Sequence, residues 1–261
     1  MSGDRRRWAL VLGASSGFGE AAAKALAASG RSIFGVHMDR RAAMPHVEEV
    51  VAAIEATGAE AAFFNMNAAD PDKRADALDA MKERMGEDGT LDVLLHSLAF
   101  GTLRPYTGDK AVSEAQMDMT VRVMAHSLVD WVQGAIDRGM MGAGGRIFAM
   151  TSSGSTRVIP SYGPVSAAKA ALESHIRQLA YELAPIGITA NALRGGVTDT
   201  PALRKIPGNE QLIEAAKARN PAGRLTTPED VAGALVALAG PGTHWITGNV
   251  INVDGGEEIT G

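Results

Sequence analysis

The stretch Gly13-Ala14-Ser15-Ser16-Gly17-Phe18-Gly19 decides the fold because of what flanks it. The apolar run Trp8–Leu12 before it predicts a β-strand, and the alanine-rich segment Glu20–Ser29 after it predicts a helix that ends at Gly30. Glycines between a first strand and a first helix let the backbone approach a pyrophosphate, and the helix N-terminus adds free N–H groups and a favourable dipole. The turn therefore predicts a dinucleotide site that includes Gly13, Ser15, Ser16, Gly17, Phe18 and Gly19.

The alternation of strand and helix continues along the chain. Short apolar runs predict six further strands, at Ser32–His37, Ala61–Asn65, Leu91–His96, Gly145–Met150, Ile188–Leu193 and Asn249–Val253. Longer segments predict helices between them, at Val47–Ala56, Asp72–Met85, Glu114–Arg138, Ala167–Leu183 and Pro228–Ala239. This order predicts an α/β fold, a Rossmann-like, doubly wound parallel sheet of seven strands with helices on both faces, in a single domain spanning residues 1–261.

One segment interrupts the alternation. Residues 200–223 are polar and contain three prolines, with a weak helical stretch at Asn209–Ala218. A long insertion before the last strand–helix unit is typical of a substrate lid. We therefore expect this segment to cover the substrate site.

Composition excludes several classes of protein. The net charge of −5 gives no electrostatic basis for a nucleic-acid partner. The absence of cysteine excludes disulfides, thiolate catalysis and cysteine-ligated metal, and no metal site is expected. No apolar run approaches the ~20 residues that a membrane span requires, and the N-terminus lacks a signal-peptide pattern. We expect a cytoplasmic protein with no membrane partner.

The end of the second strand carries two conflicting signals for the cofactor. The sequence there is His37-Met38-Asp39-Arg40-Arg41. An acid at this place favours NAD through the ribose hydroxyls, whereas Arg40 and Arg41 could hold the 2′-phosphate of NADP. The arginine pair favours NADPH over NADH, unless both arginines are simply solvated residues at the entry to a helix.

Four motifs resemble those of the short-chain dehydrogenase/reductase family, over almost the whole chain from Trp8 to Gly256. They are Gly13–Gly19, Thr151-Ser152-Ser153-Gly154-Ser155, the Tyr162 and Lys169 pair, and Asn252-Val253-Asp254-Gly255-Gly256. The spacing Y-x6-K is that of the enoyl-acyl-carrier-protein reductases within the family. The stretches His96–Phe100, Arg194–Leu203 and Pro221–Arg224 are most similar to the bacterial branch that keeps a serine where others carry a second active-site tyrosine.

The resemblance implies a set of roles. Tyr162, Lys169 and Ser152 would be catalytic, and the cofactor would also contact Asn67, Ser97, Leu98, Ala99, Lys169, Gly196, Thr198 and Thr200. The substrate would be an enoyl thioester, carried by acyl carrier protein and reduced with NADPH or NADH. A homotetramer is implied, with the helices predicted at Glu114–Arg138 and Ala167–Leu183 between subunits.

The chemistry of the tyrosine–lysine pair can be reasoned independently. An ammonium near a phenol favours the phenolate, so Lys169 is expected to lower the pKa of Tyr162. Helix positions seven apart stand ~10 Å apart along the axis, and Pro164 places Tyr162 at or before the helix start. A hydroxyl displaced in this way suits an enoyl thioester, where hydride reaches the β-carbon while negative charge develops on the thioester oxygen.

Two other functions remain open from the sequence. One is a ketone or alcohol oxidoreductase, such as a 3-oxoacyl reductase, and the other is a non-catalytic dinucleotide-binding protein. The second is motivated by Arg122, which stands where the family usually carries an asparagine that organises a proton relay to Lys169. The route of the proton is therefore open at this point.

Overall fold

The structure is a computed structural model that describes residues 6–260 and contains one sheet of seven parallel strands. The strands are β1 Arg6–Leu12, β2 Ser32–His37, β3 Ala61–Asn65, β4 Gly89–His96, β5 Arg146–Thr151, β6 Thr189–Gly195 and β7 Val250–Val253. Their order across the sheet is β3-β2-β1-β4-β5-β6-β7. Successive strands are added on one side of β1 as far as β3 and on its other side from β4 onward. This switch in strand order, between β1 and β4, is where an open α/β sheet has a crevice for ligands. The predicted Rossmann-like fold is confirmed.

Helices cover both faces of the sheet. They are α1 Gly17–Ala28, α2 Met44–Glu55, α3 Pro71–Met85, α4 Glu114–Val121, α5 Ser127–Asp137, α6 Gly163–Leu183, α7 Asn209–Arg219 and α8 Pro228–Leu238. Several begin at residues suited to a helix start: Asp70 caps α3, and Ser113 and Thr227 form capping boxes for α4 and α8.

Strand β1 shows how one short strand divides the core. Trp8, Leu10 and Leu12 face one hydrophobic cluster, and Ala9 and Val11 face the other. All five are fully buried because successive side chains of a strand point to opposite faces and both faces are covered. Burial on both sides holds the end of β1, and therefore the glycine turn that follows it, in a fixed place.

The glycine turn is compact enough to require glycine at two positions. Gly13 has a φ of +90°, and a Cβ on it would stand 2.6 Å from the carbonyl oxygen of Ser97. A Cβ on Gly19 would stand 1.9 Å from the carbonyl oxygen of Gly13. Neither position has room for a side chain, so the start of α1 lies directly against the end of β1.

The helix predicted at Glu114–Arg138 differs from the structure. A turn of π-helix at Arg122–His126 separates α4 from α5. Directly after this turn, the hydroxyl of Ser127 donates to the carbonyl of Val123 and lies 2.9 Å from Nε2 of His96. The wide turn accommodates a buried serine–histidine contact that a regular helix period does not reveal, and such turns recur at functional sites.

Two searches of the described residues bear on other classes of protein. No helix within residues 6–260 is long and apolar enough to cross a membrane. The same part of the chain has no group of three or more histidine, aspartate or glutamate side chains placed to hold a metal ion.

Candidate active site

A cleft opens at the carboxyl ends of β1 to β4, where the switch in strand order predicts it. Its lining includes most residues expected to contact the cofactor: Gly13, Ser15, Ser16, Gly17, Phe18, Asn67, Ser97, Leu98, Ala99 and Thr200. The side chain of Ser16 does not cap α1, so the first N–H groups of this helix are available to an anion.

Gly19, Arg40 and Arg41 are the expected cofactor residues that line neither this cleft nor the adjoining cavity described below. Gly19 acts through the close contact with Gly13 described above. Arg40 and Arg41 are exposed, whereas His37, Met38 and Asp39 line the cleft at the end of β2. Asp39 is held in place, because its carboxylate lies 2.9 Å from Nδ1 of His37 and its backbone N–H donates to Asn65. The structure thus presents an acid, and not the arginine pair, to the adenosine side of the cleft.

Tyr162 stands at the start of α6, as its position before Pro164 predicts. It is the cap residue of the helix, and Ser161 before it has a φ of +60°, the one positive value outside glycine among residues 6–260. The Tyr162 hydroxyl donates to Oγ of Ser152 at 3.4 Å, and Ser152 also accepts the N–H of Gly154. The strained turn at Ser161 therefore aims the tyrosine at the end of β5.

Lys169 lies further along the same helix, α6, and its side chain is buried, with 5% of the residue exposed. Its Nζ donates to the carbonyl of Met150 at 2.7 Å and approaches that of Leu98 at 3.5 Å. Burial lowers the pKa of Lys169 to about 8, although the charge of Glu173 opposes the shift. The lysine is mostly an ammonium at neutral pH and becomes neutral in mildly alkaline solution.

The expected effect of Lys169 on Tyr162 is wrong. Burial raises the pKa of the Tyr162 phenol, and the hydrogen bond to Ser152 opposes this only in part. The lysine charge is not among the causes, because the ammonium is turned toward backbone carbonyls. Tyr162 is therefore a neutral phenol, able to donate a hydrogen bond rather than to act as a base.

A second cavity, of about 430 Å³, joins the cofactor cleft. The residues that line both are Phe18, Ser97, Leu98, Ala99, Thr200, Ala202 and Lys205. Tyr162, Ser152, Lys169, Gly196 and Thr198 line the second cavity. The remaining wall is largely apolar and comes from separated segments: Leu103, Met124, Met150, Ile159, Val165, Ile206, Leu212 and Ala215.

The segment predicted as a lid forms one wall of this cavity. Helix α7 contributes Leu212, Ala215 and Arg219 to it. Arg219 donates to Glu257 at 2.7 Å, and the other carboxylate oxygen of Glu257 accepts the N–H of Val197 at 2.9 Å. Glu257 therefore ties this wall to the loop that contains Gly196 and Thr198.

Arg122 lies outside both cavities. Its guanidinium is 2.6 Å from a carboxylate oxygen of Asp130, on the outer side of α5. Two other residues of the same π turn reach the site: Val123 lines the cofactor cleft, and Met124 lines the second cavity. The arginine thus does not intrude on Lys169.

His96 is buried at the end of β4 beneath the two cavities. Burial, together with the charge of Lys169, lowers its pKa to about 3. Because the Ser127 hydroxyl donates to Val123, the Nε2 of His96 must donate to Ser127. His96 is a neutral structural residue, whereas its neighbour Ser97 lines both cavities.

The comparisons with known proteins agree with this arrangement. The model of the enoyl-(acyl carrier protein) reductase family matches residues 13–258. The chain belongs to this family. It is an oxidoreductase of the short-chain dehydrogenase/reductase type, which confirms the resemblance carried by the glycine turn and the Tyr162 and Lys169 pair.

Three relatives span nearly the whole reductase. The 1-cyclohexenylcarbonyl-CoA reductase of Streptomyces collinus is 30% identical over 98% of this chain and 88% of its own length. The crystal structure of an NADH enoyl-acyl-carrier-protein reductase from Aquifex aeolicus has a TM-score of 0.85 at 26% identity, covering 98% and 97% of the two chains. A short-chain dehydrogenase from Burkholderia cenocepacia, solved with NADP, has a TM-score of 0.83 at 31% identity, covering 97% and 98%. Members of the family bind NAD(H) or NADP.

Sequence reasoning did not find several residues of the site. The sequence indicates Asp39 as a candidate but does not reveal its contact with the ring of His37. Glu173 and Glu257 carry no motif of their own; each became visible only through partners distant in sequence. Glu173 could have been suspected, since it follows Lys169 by four residues on one helix face.

Proposed function

We propose that this reductase transfers hydride from NADH to the β-carbon of a trans-2-enoyl thioester. The observation that carries the proposal is the place of Tyr162, a neutral phenol at the start of α6, seven residues before Lys169 and facing an apolar cavity. An oxygen donor set back from the lysine suits a substrate in which the atom receiving hydride and the atom gaining charge are different.

The residues divide the work as follows. When bound, the reduced nicotinamide supplies the hydride. Tyr162 would donate a hydrogen bond to the thioester oxygen as negative charge develops there, and the α-carbon would then take a proton from solvent water to give the saturated thioester. Lys169 would hold the nicotinamide ribose and provide a positive charge, and Thr198 and Thr200 would hold the carboxamide. The apolar wall around Leu212 binds the acyl chain and excludes water.

The preference for NADH reverses the expectation drawn from Arg40 and Arg41. The carboxylate of Asp39 lines the cleft, and both arginines are exposed outside it. A carboxylate accepts hydrogen bonds from two ribose hydroxyls and repels a 2′-phosphate.

A thioester on acyl carrier protein is our proposed substrate, with coenzyme A as the other carrier to be tested. Lys205, on the lid segment, lines both cavities, whereas the charge of Arg219 is already paired with Glu257. Positive charge at this wall favours the approach of an acidic carrier.

Reduction of a ketone is the second candidate, and one contact favours it. The Ser152 and Tyr162 hydroxyls are 3.4 Å apart, so both could reach one carbonyl oxygen. The test is a paired assay: crotonyl against acetoacetyl thioester, each on acyl carrier protein and on coenzyme A, with NADH and NADPH. We expect turnover of the crotonyl thioesters with NADH. Turnover of the acetoacetyl thioesters alone would refute the proposal.

We also propose a homotetramer. Large apolar side chains are exposed at Tyr181 on α6 and at Trp245 before β7, with 80% and 89% of their surface accessible. Single exposed aromatic residues also occur on monomers, so the number of subunits is proposed from the resemblance to the family, and these side chains are offered only as contact points. Light scattering of the purified protein should give four times 27.1 kDa; a monomer would refute the proposal.

A further inference from the structure

Glu173 is a buried carboxylate to which the proposed reaction assigns no role. It lies on α6 four residues after Lys169 and is 8% exposed. Residues four apart share a helix face, so its carboxylate stands on the same side of α6 as the ammonium of Lys169. A buried carboxylate requires compensation from its surroundings.

Two neighbours supply that compensation through a single oxygen. Oε1 of Glu173 accepts the Thr151 hydroxyl at 2.6 Å and Nη2 of Arg194 at 3.2 Å. Thr151 stands between Met150, whose carbonyl accepts Lys169, and Ser152, which contacts Tyr162. The carboxylate therefore holds the very segment of β5 that the lysine and the tyrosine both touch.

The charge of the same carboxylate also acts on the pKa of Lys169. Burial drives the pKa of Lys169 down, and Glu173 is the one charged group that opposes this shift among residues 6–260. The other ionisable groups around the lysine are two neutral ones, His96 from β4 and Tyr162 at the start of α6, together with Arg194 from β6 and with Arg157, Lys205 and Arg219 in the cavity wall. Glu173 itself lies behind the cavity wall, and no carboxylate of residues 6–260 lines the cavity that contains Lys169.

We propose that Glu173 is a positioning residue that keeps Lys169 charged and fixes the end of β5 beneath Ser152. The inference rests on the proposed function only for its effect on turnover. The charge of Lys169 is a property of the chain itself and can be measured without any substrate. Arg194 helps to hold Glu173 in place, because its guanidinium donates to Glu173 and also to the hydroxyl of Ser155.

The primary test is a titration of Lys169 in the whole protein without substrate. Lysine labelled with ¹³C at Cε is incorporated, and the Lys169 signal is identified by its loss in Lys169→Arg. In the wild type we expect a midpoint of about 8. In Glu173→Gln the midpoint should fall by about one unit, as expected when an opposite charge is removed from a buried site. An unchanged midpoint would overturn the proposal.

Turnover gives the second readout. A midpoint of about 7 in place of 8 leaves about a fifth as much charged lysine at pH 8, but nearly as much at pH 6. Glu173→Gln should therefore lose about fivefold in kcat at pH 8 and little at pH 6, and Glu173→Asp should recover most of the loss. An equal loss at both pH values would mean a general structural defect and would contradict the proposal.

Two controls separate charge from structure. Thr151→Val removes the hydrogen bond to Glu173 but leaves the carboxylate, and it should leave the Lys169 midpoint in place. A shift as large as that of Glu173→Gln would assign the effect to packing instead. Glu182→Gln changes an exposed carboxylate on the same helix and should alter neither readout.

Removing Glu173 alone leaves the largely buried Arg194 with only the Ser155 hydroxyl at 3.1 Å and a carboxylate oxygen of Glu258 at 3.8 Å, which can weaken folding. The double variant Glu173→Gln/Arg194→Met removes both charges and provides a second route to the same measurement. It should also lower the Lys169 midpoint, by less than Glu173→Gln alone, because loss of the Arg194 charge acts in the opposite direction. A midpoint that remains at about 8 in both variants would overturn the proposal. A normal shift with no enoyl turnover in any variant would leave this inference standing and refute only the proposed function.

Discussion

The two ends of the site are built in different ways. The cofactor end is shaped by backbone: Gly13 and Gly19 allow β1 and α1 to meet, and N–H groups face the cleft. The substrate end is shaped by side chains from separated segments, joined by buried pairs such as Glu173 with Arg194. A single added atom at the cofactor end should therefore abolish cofactor binding, whereas a single substitution at the substrate end should reduce turnover only in part.

The largest effect is expected at Gly19. In Gly19→Ala the new Cβ would overlap the carbonyl oxygen of Gly13, and backbone must move to admit it. We expect a loss of about 3 kcal/mol in the free energy of unfolding and no detectable NADH binding. Urea unfolding and fluorescence titration with NADH measure the two. Gly142→Ala is the matched control, because a Cβ there meets nothing within 4 Å. Normal NADH binding by Gly19→Ala would show that the turn is not fixed by backbone contact.

The next largest effect is expected at Tyr162. Tyr162→Phe removes one oxygen and keeps the ring that packs against Gly154. We expect kcat to fall about 100-fold, the usual cost of losing a hydrogen bond to a developing oxyanion, with NADH affinity unchanged. Steady-state kinetics with a crotonyl thioester and an NADH titration test this. A fall in NADH affinity would place Tyr162 at the cofactor end instead.

The pH dependence should follow Lys169. Its pKa of about 8 lies below the ordinary value for lysine, so the ammonium is present below pH 8 and lost as the pH rises through it. Tyr162 remains protonated across this range, because its pKa is raised. We expect kcat at pH 9 to be about tenfold below its plateau near pH 6.5. Lys169→Arg, whose charge persists above pH 12, should have lower activity without this alkaline loss. An alkaline loss that persists in Lys169→Arg would assign it to another group.

How far the sequence could predict these two ends follows from their construction. Gly13 to Gly19 is a contiguous motif whose spacing expresses a backbone contact, so the cofactor turn could be predicted. Tyr162 and Lys169 could also be predicted, since Lys169 lies on α6 and Tyr162 is the cap residue of the same helix. The π turn at Arg122–His126 could not be predicted, because the hydrophobic period of a helix does not reveal one extra residue in a turn. The roles of Asp39 and Glu173 depend on contacts to His37 and Arg194, and tertiary packing alone brings those partners into place.

A smaller effect is expected at the adenosine side, where the cofactor end does depend on a side chain. Asp39→Asn removes the carboxylate that faces the ribose and keeps its shape. We expect the ratio of kcat/KM for NADPH to that for NADH to rise about tenfold. Arg40→Ala and Arg41→Ala are the controls and should change this ratio less than twofold, because both side chains lie outside the cleft. A large loss of NADPH use in either arginine variant would restore the 2′-phosphate role first expected for the pair.

The smallest effect is expected at Arg122, although the resemblance implies an asparagine at this position. The Arg122 side chain is 43% exposed and pairs with Asp130, so Arg122→Asn should cost about 0.5 kcal/mol of stability and change kcat less than twofold. Arg138→Asn, which breaks a comparable exposed pair with Asp79, should behave alike in thermal unfolding and in turnover. A severalfold gain in kcat for Arg122→Asn would show that an asparagine can turn inward there and support a proton relay to Lys169. Equal, small losses in both variants would instead mean that the π turn serves the site only through Val123 and Met124.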